Sequence, residues 1–595
     1  MSKGFASSFR LVLLATAVLL CFASVGVRLV HLHVLEREHL VSYVDRARSS
    51  IFKEQARRGD ILDAKGDVLA TSRTVIQLGV DPQMLREEDR ADWPELARLI
   101  GQPLEQLVST FNRTKRISKT GKTSLIRWAK LVDEIEESTY DAVGKLGIKG
   151  VYGNRSYRRT YPRNQLAAHL VGFVNREDDP SGGIESYADF YLRGQDGWRE
   201  SEKDGLRREM AQFRKREVPA NDGYSVALSI DSMVQHLIET ELAYIGETYQ
   251  PAKASIIVSD AKSGFILGLA NYPSFDLNEY GRATLDQQRN TAVTDLLDPG
   301  STFKIVATSA ALDRGLVTPR TKFNCSIASL EFEGRVRKFM PDDHEHDHPL
   351  SVAEIISQSS NIGAAQLGMR LGEKGMYDSA RLFGFGEPSG FPLGYESRGL
   401  LNTPDKWSAL EITRIPAGYS ISATPIQIHY AMATIASGGE LLRPQVVKEI
   451  RDAQGKEVFS FGGVSRRRVI KAEVARQMAR MLVGVTEEGT AKGAAIEGYQ
   501  VAGKTGTAQK LIDGRYSKKN HVGSFVGFLP ASDPEIVVTV IVDDARLELG
   551  RLNYGSAVAV PAFRRVAEQL ISYLDIKPVV APEAQPRLAL EGSRW

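Results

Sequence analysis

The sequence predicts a mixed α/β (α+β) chain. An antiparallel sheet is flanked by helices, an irregular α+β module precedes it, and one transmembrane helix opens the chain. Three observations predict this. An early hairpin pattern, a long helical middle and three late strand patterns follow in that order, so one sheet draws strands from both ends of a domain. A doubly wound parallel sheet would alternate strands and helices instead. The region before about residue 223 mixes short strand and helix patterns with loops rich in Arg, Gly and Tyr, and residues 11–27 carry no charge.

The uncharged run "LVLLATAVLLCFASVGV" is preceded by Lys3 and Arg10 and followed by Arg28. It is a short but sufficient membrane span, with flanking cations able to snorkel. A cleaved signal peptide is the alternative. Its apolar region is usually shorter, no small-x-small cleavage site stands out, and Leu20 before Cys21 argues against lipoprotein processing. The preferred reading is a retained anchor with a cytoplasmic N-terminus and the rest of the chain outside.

The next elements follow in order. "RRGDILDAKGDVLATS" (57–72) reads as strand, Gly-containing turn, strand. "SVALSID" begins a new texture near Tyr224, followed by an amphipathic helix, "SMVQHLIETELAYIGETY". "ASIIVSDAKSGFILGLANYP" gives two strands about a Lys-Ser-Gly turn. After the helical middle, "GYQVAGKTGTAQ", "HVGSFVGFLP" and "EIVVTVIVDD" supply the late strands, and "AVAVPAFRRVAEQLISYL" a closing helix. The expected organisation is 1–35 N-terminus and anchor, 36–223 N-terminal module, 224–575 catalytic domain and 576–595 tail.

Length and composition agree. The chain has 595 residues, 42% hydrophobic and 25% charged, enough for several domains and a sizeable core. A formal net charge of +3 does not indicate a nucleic-acid partner. Two cysteines, Cys21 and Cys325, give neither a disulfide framework nor a zinc cluster. No Gly-rich phosphate loop is present.

The chemistry-bearing stretch is "DPGSTFKIVATSAALDRG" (298–315). Pro299-Gly300 can deliver the chain into a helix beginning near Ser301. Lys304, three residues on, shares its face. A serine hydroxyl is a weak nucleophile until a base takes its proton. A lysine with its ordinary pKa of about 10.4 is almost wholly charged at neutral pH, so burial or a second cation must lower it. By itself a Ser-x-x-Lys pair is most often a cap plus a solvated lysine. Two further motifs change that. "SSN" places Ser359, Ser360 and Asn361 in a segment that otherwise reads as a buried helix. "GKTGTAQ" places Lys504, Thr505, Gly506 and Thr507 on a strand. Gly506 leaves room for close approach, and Lys504 can be the cation that depresses Lys304 or anchors a carboxylate.

The ordered set S-x-x-K, S-x-N, K-T-G resembles that of penicillin-binding proteins and serine β-lactamases. The likeness covers most of the chain, and is to class B penicillin-binding proteins, peptidoglycan D,D-transpeptidases. "RRGDILDAKGDVLA", "YPRNQLAAHLVGFV" and "GGIESYAD" are similar to their pedestal motifs. "RNTAVTDLLDPGSTFK", "ISATPIQIHYAMATIASGG" and "YQVAGKTGTAQK" are similar to their catalytic-domain motifs. The resemblance implies the serine β-lactamase/transpeptidase-like fold, with Ser301 as acylated nucleophile and Lys304 as its base. Ser359 would relay a proton and Asn361 would bond the donor peptide. Lys504 would tune the electrostatics, and Thr505, Gly506 and Thr507 would bind substrate through its carboxylate. The backbone N–H groups of Ser301 and Thr507 would form the oxyanion hole. No cofactor and no metal is implied. "AVTD" before the serine motif resembles the division (septal) group. The implied partners are peptidoglycan stem peptides, β-lactams as inhibitors, and a SEDS-type glycan polymerase with other division membrane proteins. The implied location is the bacterial cytoplasmic membrane, at the division septum. An elongation-type enzyme is the alternative within the family. Outside it stand a β-lactamase or β-lactam sensor, which would need neither the N-terminal module nor the anchor, and a non-catalytic scaffold, against which the intact motifs argue.

Three features have weaker readings. "PDDHEHDHP" (341–349) places His344, His346 and His348 near the motifs, with Cys325 upstream. It reads as a solvated polar loop or as a metal site that the chemistry does not need. Arg158, Arg159 and Arg163 read as a partner patch or as structural cations. Glu185 in "GGIE" reads as structural.

Overall fold

The computed structural model describes residues 8–117, 123–203, 209–512, 515–547 and 553–578; most of the expected tail, 576–595, lies outside the described residues. The apolar run is the helix Ser8–Val30, none of whose residues is buried. Its 23 residues rise about 34 Å, enough for a hydrocarbon core of about 30 Å. Among the described residues it is the one helix, with its continuation to Leu35, long and apolar enough to cross a membrane.

The chain forms two compact units. The smaller comprises the residues up to Arg57, Arg73–Arg158 and Gly194–Asp222. Ile76, Leu78 and Val80 face Ile135, Val132 and Ala129 across an antiparallel pair. Trp93 and Phe111 meet edge to face, 4.8 Å apart, in the same core. A second sheet pairs Ser49–Glu54 with Gly197–Lys203.

The larger unit contains Gly223 onward, and also Arg58–Ser72 and Arg159–Arg193. Two segments of the expected 36–223 module therefore pack with the catalytic residues, and the boundary drawn from the sequence is crossed twice. The reason is a set of long-range contacts. Ile61 pairs in parallel with Val226. Ile61, Tyr161, Leu170 and Ile184 join the catalytic core. Glu185, fully buried, accepts from Arg58 Nε at 2.7 Å, Arg159 Nε at 2.6 Å and the Tyr161 hydroxyl at 3.2 Å. An unpaired charge here would face the desolvation penalty alone, so Glu185 is structural. Arg159 is 4% exposed and presents no partner surface, while Arg158 pairs with Glu134 and Arg163 with Asp67.

In the larger unit, helix α1 (Ser232–Tyr249) starts on Asp231, whose side chain accepts from the Met233 and Val234 N–H groups. Strands β1 (Lys253–Asp260) and β2 (Ile266–Tyr272) form the early hairpin. The helical middle supplies α2 (Lys304–Asp313), α3 (Asn361–Leu382), α4 (Pro425–Ala436) and α5 (Ala472–Glu487). Strands β3 (Ala502–Ile512), β4 (Arg515–Leu529) and β5 (Ile536–Asp543), then helix α6 (Gly555–Leu574), complete it. The sheet runs β2-β1-β5-β4-β3, antiparallel throughout, as the strand order in the sequence predicts.

Both faces of the sheet are covered. Phe525 of β4 packs edge to face on Phe563 of α6 at 4.6 Å. On the opposite face Thr539 of β5, paired with Val526, meets His429 of α4, which also bonds Ser259. Hence β1 and β5 read as continuous apolar runs rather than alternating ones, and every residue of α4 is buried. The sheet ends on β3, which carries the Lys-Thr-Gly motif and leaves one edge for other backbone to approach.

Candidate active site

Asp298 and Pro299 lead into a 3-10 turn, Gly300–Phe303, and α2 starts only at Lys304. The sequence places a helix start at Ser301; the tighter turn forms instead because it fits against β3. Gly300 has φ +55°, and a Cβ there would stand 3.0 Å from the Thr507 carbonyl oxygen. At Gly506 a Cβ would lie 2.3 Å from Ser524 Oγ and 2.9 Å from Thr302 Cγ2. Both glycines thus let the serine turn and the strand touch backbone to backbone. The Lys304 N–H bonds the Ser301 carbonyl, and this i,i+3 geometry nearly eclipses the two side chains. Ser301 is partly exposed, whereas Lys304 is fully buried. This difference suits the roles expected from the sequence: a nucleophile must meet substrate, and a lysine base must be kept from water.

Lys304 Nζ donates to Asn361 Oδ1 at 2.8 Å, to Ser359 Oγ at 3.2 Å and to the Ser359 carbonyl. Lys504 Nζ donates to the same Ser359 Oγ at 2.9 Å and to the Thr505 carbonyl at 3.2 Å. Three motifs, distant in sequence, meet on one hydroxyl. Burial pushes Lys304 down to about 7, against the opposing charges of Asp342 and Asp343. Burial, then the charge of Lys304, holds Lys504 well below the ordinary lysine range, Asp343 opposing.

Ser359 does not lie within a helix, as its surroundings in sequence suggest. It sits between the helix Val352–Ser357 and α3 with φ +62°. For a residue with a Cβ this costs about 1–2 kcal/mol, so neighbours must over-determine it. Ser360 caps α3, accepting from the Gly363 N–H at 2.9 Å. Ser360 Oγ in turn donates to Asp342 at 2.6 Å. The same carboxylate accepts the N–H groups of Asn361 and Ile362, and His346 Nε2 lies 2.9 Å from its other oxygen. Sequence reasoning missed Asp342. Its signal was the "PDDHEHDHP" run, read as a solvated polar loop or a metal site rather than for anchoring.

Other site residues keep partners inside the protein. Asn361 accepts from Lys304 and donates to the Pro341 carbonyl at 2.8 Å, so both ends of its amide, expected from the sequence to bond the donor peptide, have partners within the protein. Thr505 Oγ1 is 2.9 Å from Thr490 Oγ1. Thr507 Oγ1 accepts from the Gly555 N–H at 3.1 Å, which leaves its proton for another acceptor. On the rim, Asp298 accepts from the Tyr516 hydroxyl at 3.0 Å.

The family model described as "Penicillin binding protein transpeptidase domain" matches residues 254–568, more than half the chain. The chain belongs to the penicillin-binding transpeptidases. The model described as "Penicillin-binding Protein dimerisation domain" matches residues 53–228. Stage V sporulation protein D of Bacillus subtilis is 30% identical over 572 residues, 96% of this chain and 86% of that protein. Peptidoglycan D,D-transpeptidase FtsI of Escherichia coli is 29% identical, over 96% of this chain and 93% of that one. A crystal structure of penicillin binding protein 3 from Mycobacterium tuberculosis, complexed with aztreonam, aligns with TM-score 0.68 and 25% identity, covering 89% of this chain and 98% of that one. A peptidoglycan synthetase from Bifidobacterium adolescentis, 24% identical with TM-score 0.71, covering 90% of this chain and 99% of that one, shares the fold.

In this penicillin-binding transpeptidase His346 of the histidine run supports the site's scaffold. His346 serves Asp342, and His348 contacts Asp347 and Glu354. Among the described residues no group of three or more His, Cys, Asp or Glu side chains is arranged to hold a metal. Cys21 and Cys325 are both free.

Two expectations follow for acylation by penicillin, followed by mass spectrometry. A base with a pKa of about 7 is protonated below it, so the rate should rise with pH on a limb centred near 7 and then level. A flat profile through that region would remove Lys304 as the base. Asp342→Asn keeps one acceptor but weakens the anchor of the Ser359 turn, and should slow acylation by about tenfold or more through misplacement. The loss should fall on the chemical step at saturating penicillin; a change in binding alone would show that Asp342 does not position the turn.

Proposed function

We propose that this chain is a membrane-anchored peptidoglycan D,D-transpeptidase that cross-links stem peptides through an acyl-enzyme on Ser301, and that β-lactams acylate the same serine. The observation carrying the reading is the shared Ser359 hydroxyl, which joins Lys304 and Lys504 near the partly exposed Ser301. Neutral Lys304 takes the Ser301 proton as Oγ attacks the carbonyl carbon of the penultimate D-alanine. The tetrahedral oxyanion is met by the backbone N–H groups of Ser301 and Thr507, donors fixed before reaction. The C–N bond breaks and the terminal D-alanine leaves as its amine, taking a proton relayed through Ser359. An acceptor stem's amine then attacks the acyl ester, loses its proton to the same network and frees Ser301. Thr505 and Thr507 hold the donor's terminal carboxylate beside Lys504, and the edge of β3 takes the donor stem as an added strand.

Within the family we place the enzyme in septal wall synthesis. "AVTD" before the serine motif supports this, and one relative is named FtsI. The N-terminus is cytoplasmic and the catalytic unit extracytoplasmic, by the cations before the span. The partner is a SEDS-type glycan polymerase, since the motifs supply no polymerising site. It is contacted through the pedestal and the anchor, where Ala15, Ala23 and Gly26 offer small positions.

Ser301→Ala should abolish the penicillin adduct and leave the melting temperature unchanged; an adduct of full strength on that variant would refute the assignment. Wild-type adducts should persist long enough to isolate, whereas rapid turnover would indicate a β-lactamase. Depletion in the host should give filaments with unfinished septa while side walls continue to grow. Rounded cells would assign the enzyme to elongation.

A further inference from the structure

The smaller unit carries a charge concentration that the catalytic reading does not use. Residues 113–130 contain seven Lys and Arg and no Asp or Glu, in a chain whose net charge is only +3. Within this stretch Lys115–Ile117 and Thr123–Leu125 pair as an antiparallel ribbon, exposed along both strands. Alternation puts Arg116 and Ser124 on one face and Ile117 and Leu125 on the other. Beside the ribbon lies a cleft of about 610 Å³, lined by Ser109, Thr110, Arg113, Arg116, Ser124 and Trp128 among others. Its wall is packed: the Trp128 indole lies so close over Gly79 that a Cβ there would come within 2.3 Å.

Several cations elsewhere in this unit have a carboxylate: Arg73 and Arg158 share Glu134, Arg98 has Glu95 and Arg155 has Glu137. Within the stretch Lys130 has Asp133. Among the described residues Arg113, Lys115, Arg116 and Arg127 have no ion pair. Like charges held together repel unless an anion joins them.

We propose that this cleft binds nascent peptidoglycan through the free carboxylates of stems that are not yet cross-linked. The proposal rests on the transpeptidase reading for its ligand. Each donor stem keeps its terminal carboxylate until the reaction. Cross-linking passes the penultimate carbonyl from the terminal residue's nitrogen to the acceptor's amine, and the terminal residue leaves with its carboxylate, so a donor stem loses that charge when it is joined. The cleft therefore favours substrate strands over product. Its volume lies in the range of small-molecule sites, which suits one sugar-peptide unit. Hydroxyls and guanidinium groups line it, as carboxylates and sugar hydroxyls require. Holding a strand at a second site on the same chain raises the local concentration of stems for the catalytic unit.

The test uses the full chain in non-ionic detergent, with soluble uncross-linked strands, cross-linked fragments, strands stripped of stems, and phosphatidylglycerol vesicles. Wild-type protein should bind uncross-linked strands, more weakly as salt rises, and bind stripped strands and cross-linked fragments less. The triple variant Arg113→Gln, Arg116→Gln, Arg127→Gln alters exposed side chains and should bind at least about tenfold more weakly, while its penicillin adduct on Ser301 stays at the wild-type level. Equal binding by variant and wild type would overturn the proposal. So would equal binding of stripped or cross-linked material, or charge-dependent binding to the vesicles with none to the strands. Failure of the transpeptidase reading would appear separately, as a wild-type chain that forms no adduct.

Discussion

The site depends on two lysines held away from water on either side of one serine hydroxyl. Lys304 and Lys504 are both fully buried, and both reach Ser359 Oγ. Desolvation disfavours each ammonium, and the charge of Lys304 disfavours that of Lys504 further. Burial brings Lys304 to about 7, where a lysine can take a proton from a hydroxyl. The polar partners of Lys304 are neutral oxygens from Asn361 and Ser359, which orient the amine without the full compensation a direct carboxylate partner would give. Asp342, one residue layer away, bonds the backbone of the Ser359–Asn361 turn rather than the lysine. A carboxylate in direct contact would return Lys304 to its charged form.

The rest of the fold brings these groups within reach. Lys304 comes from the start of a buried helix, Ser359 from a left-handed residue between two helices, and Lys504 from the last strand of the sheet. A sheet with both faces covered holds β3 in place, and the edge position leaves that strand accessible. Gly300 and Gly506 remove the side chains that would keep the serine turn off the strand. The tight Gly300–Phe303 turn and the close backbone approach fit one requirement of the proposed reaction: an oxyanion site needs N–H groups from two different elements within a few ångströms.

The way the chain enters the catalytic unit has a different physical basis. Residues 58–72 and 159–193 enter it, drawn by parallel pairing at Ile61 and by Glu185 between two guanidinium groups. Two arginines and a tyrosine divide one carboxylate. Such a pairing is costly to break because each remaining charge is already desolvated.

Much of this was legible in the sequence because it is encoded locally. An uncharged run of sufficient length marks the candidate span, apolar runs of strand length identify β1 and β5, and three short motifs with fixed internal spacing contain Lys304, Ser359 and Lys504, which the fold brings together. The tertiary structure decided what depends on residues far away in the chain. Ser301 lies in a 3-10 turn because β3 stands beside it. Ser359 is left-handed because Asp342 and the Ser360 cap hold its neighbours. Asn361 faces the base rather than solvent. Arg159 is a buried partner of Glu185, although the sequence offers it equally as surface charge. Periodicity and capping are properties of consecutive residues; desolvation and backbone proximity are not, and they set both the pKa of Lys304 and the limits of each folded unit.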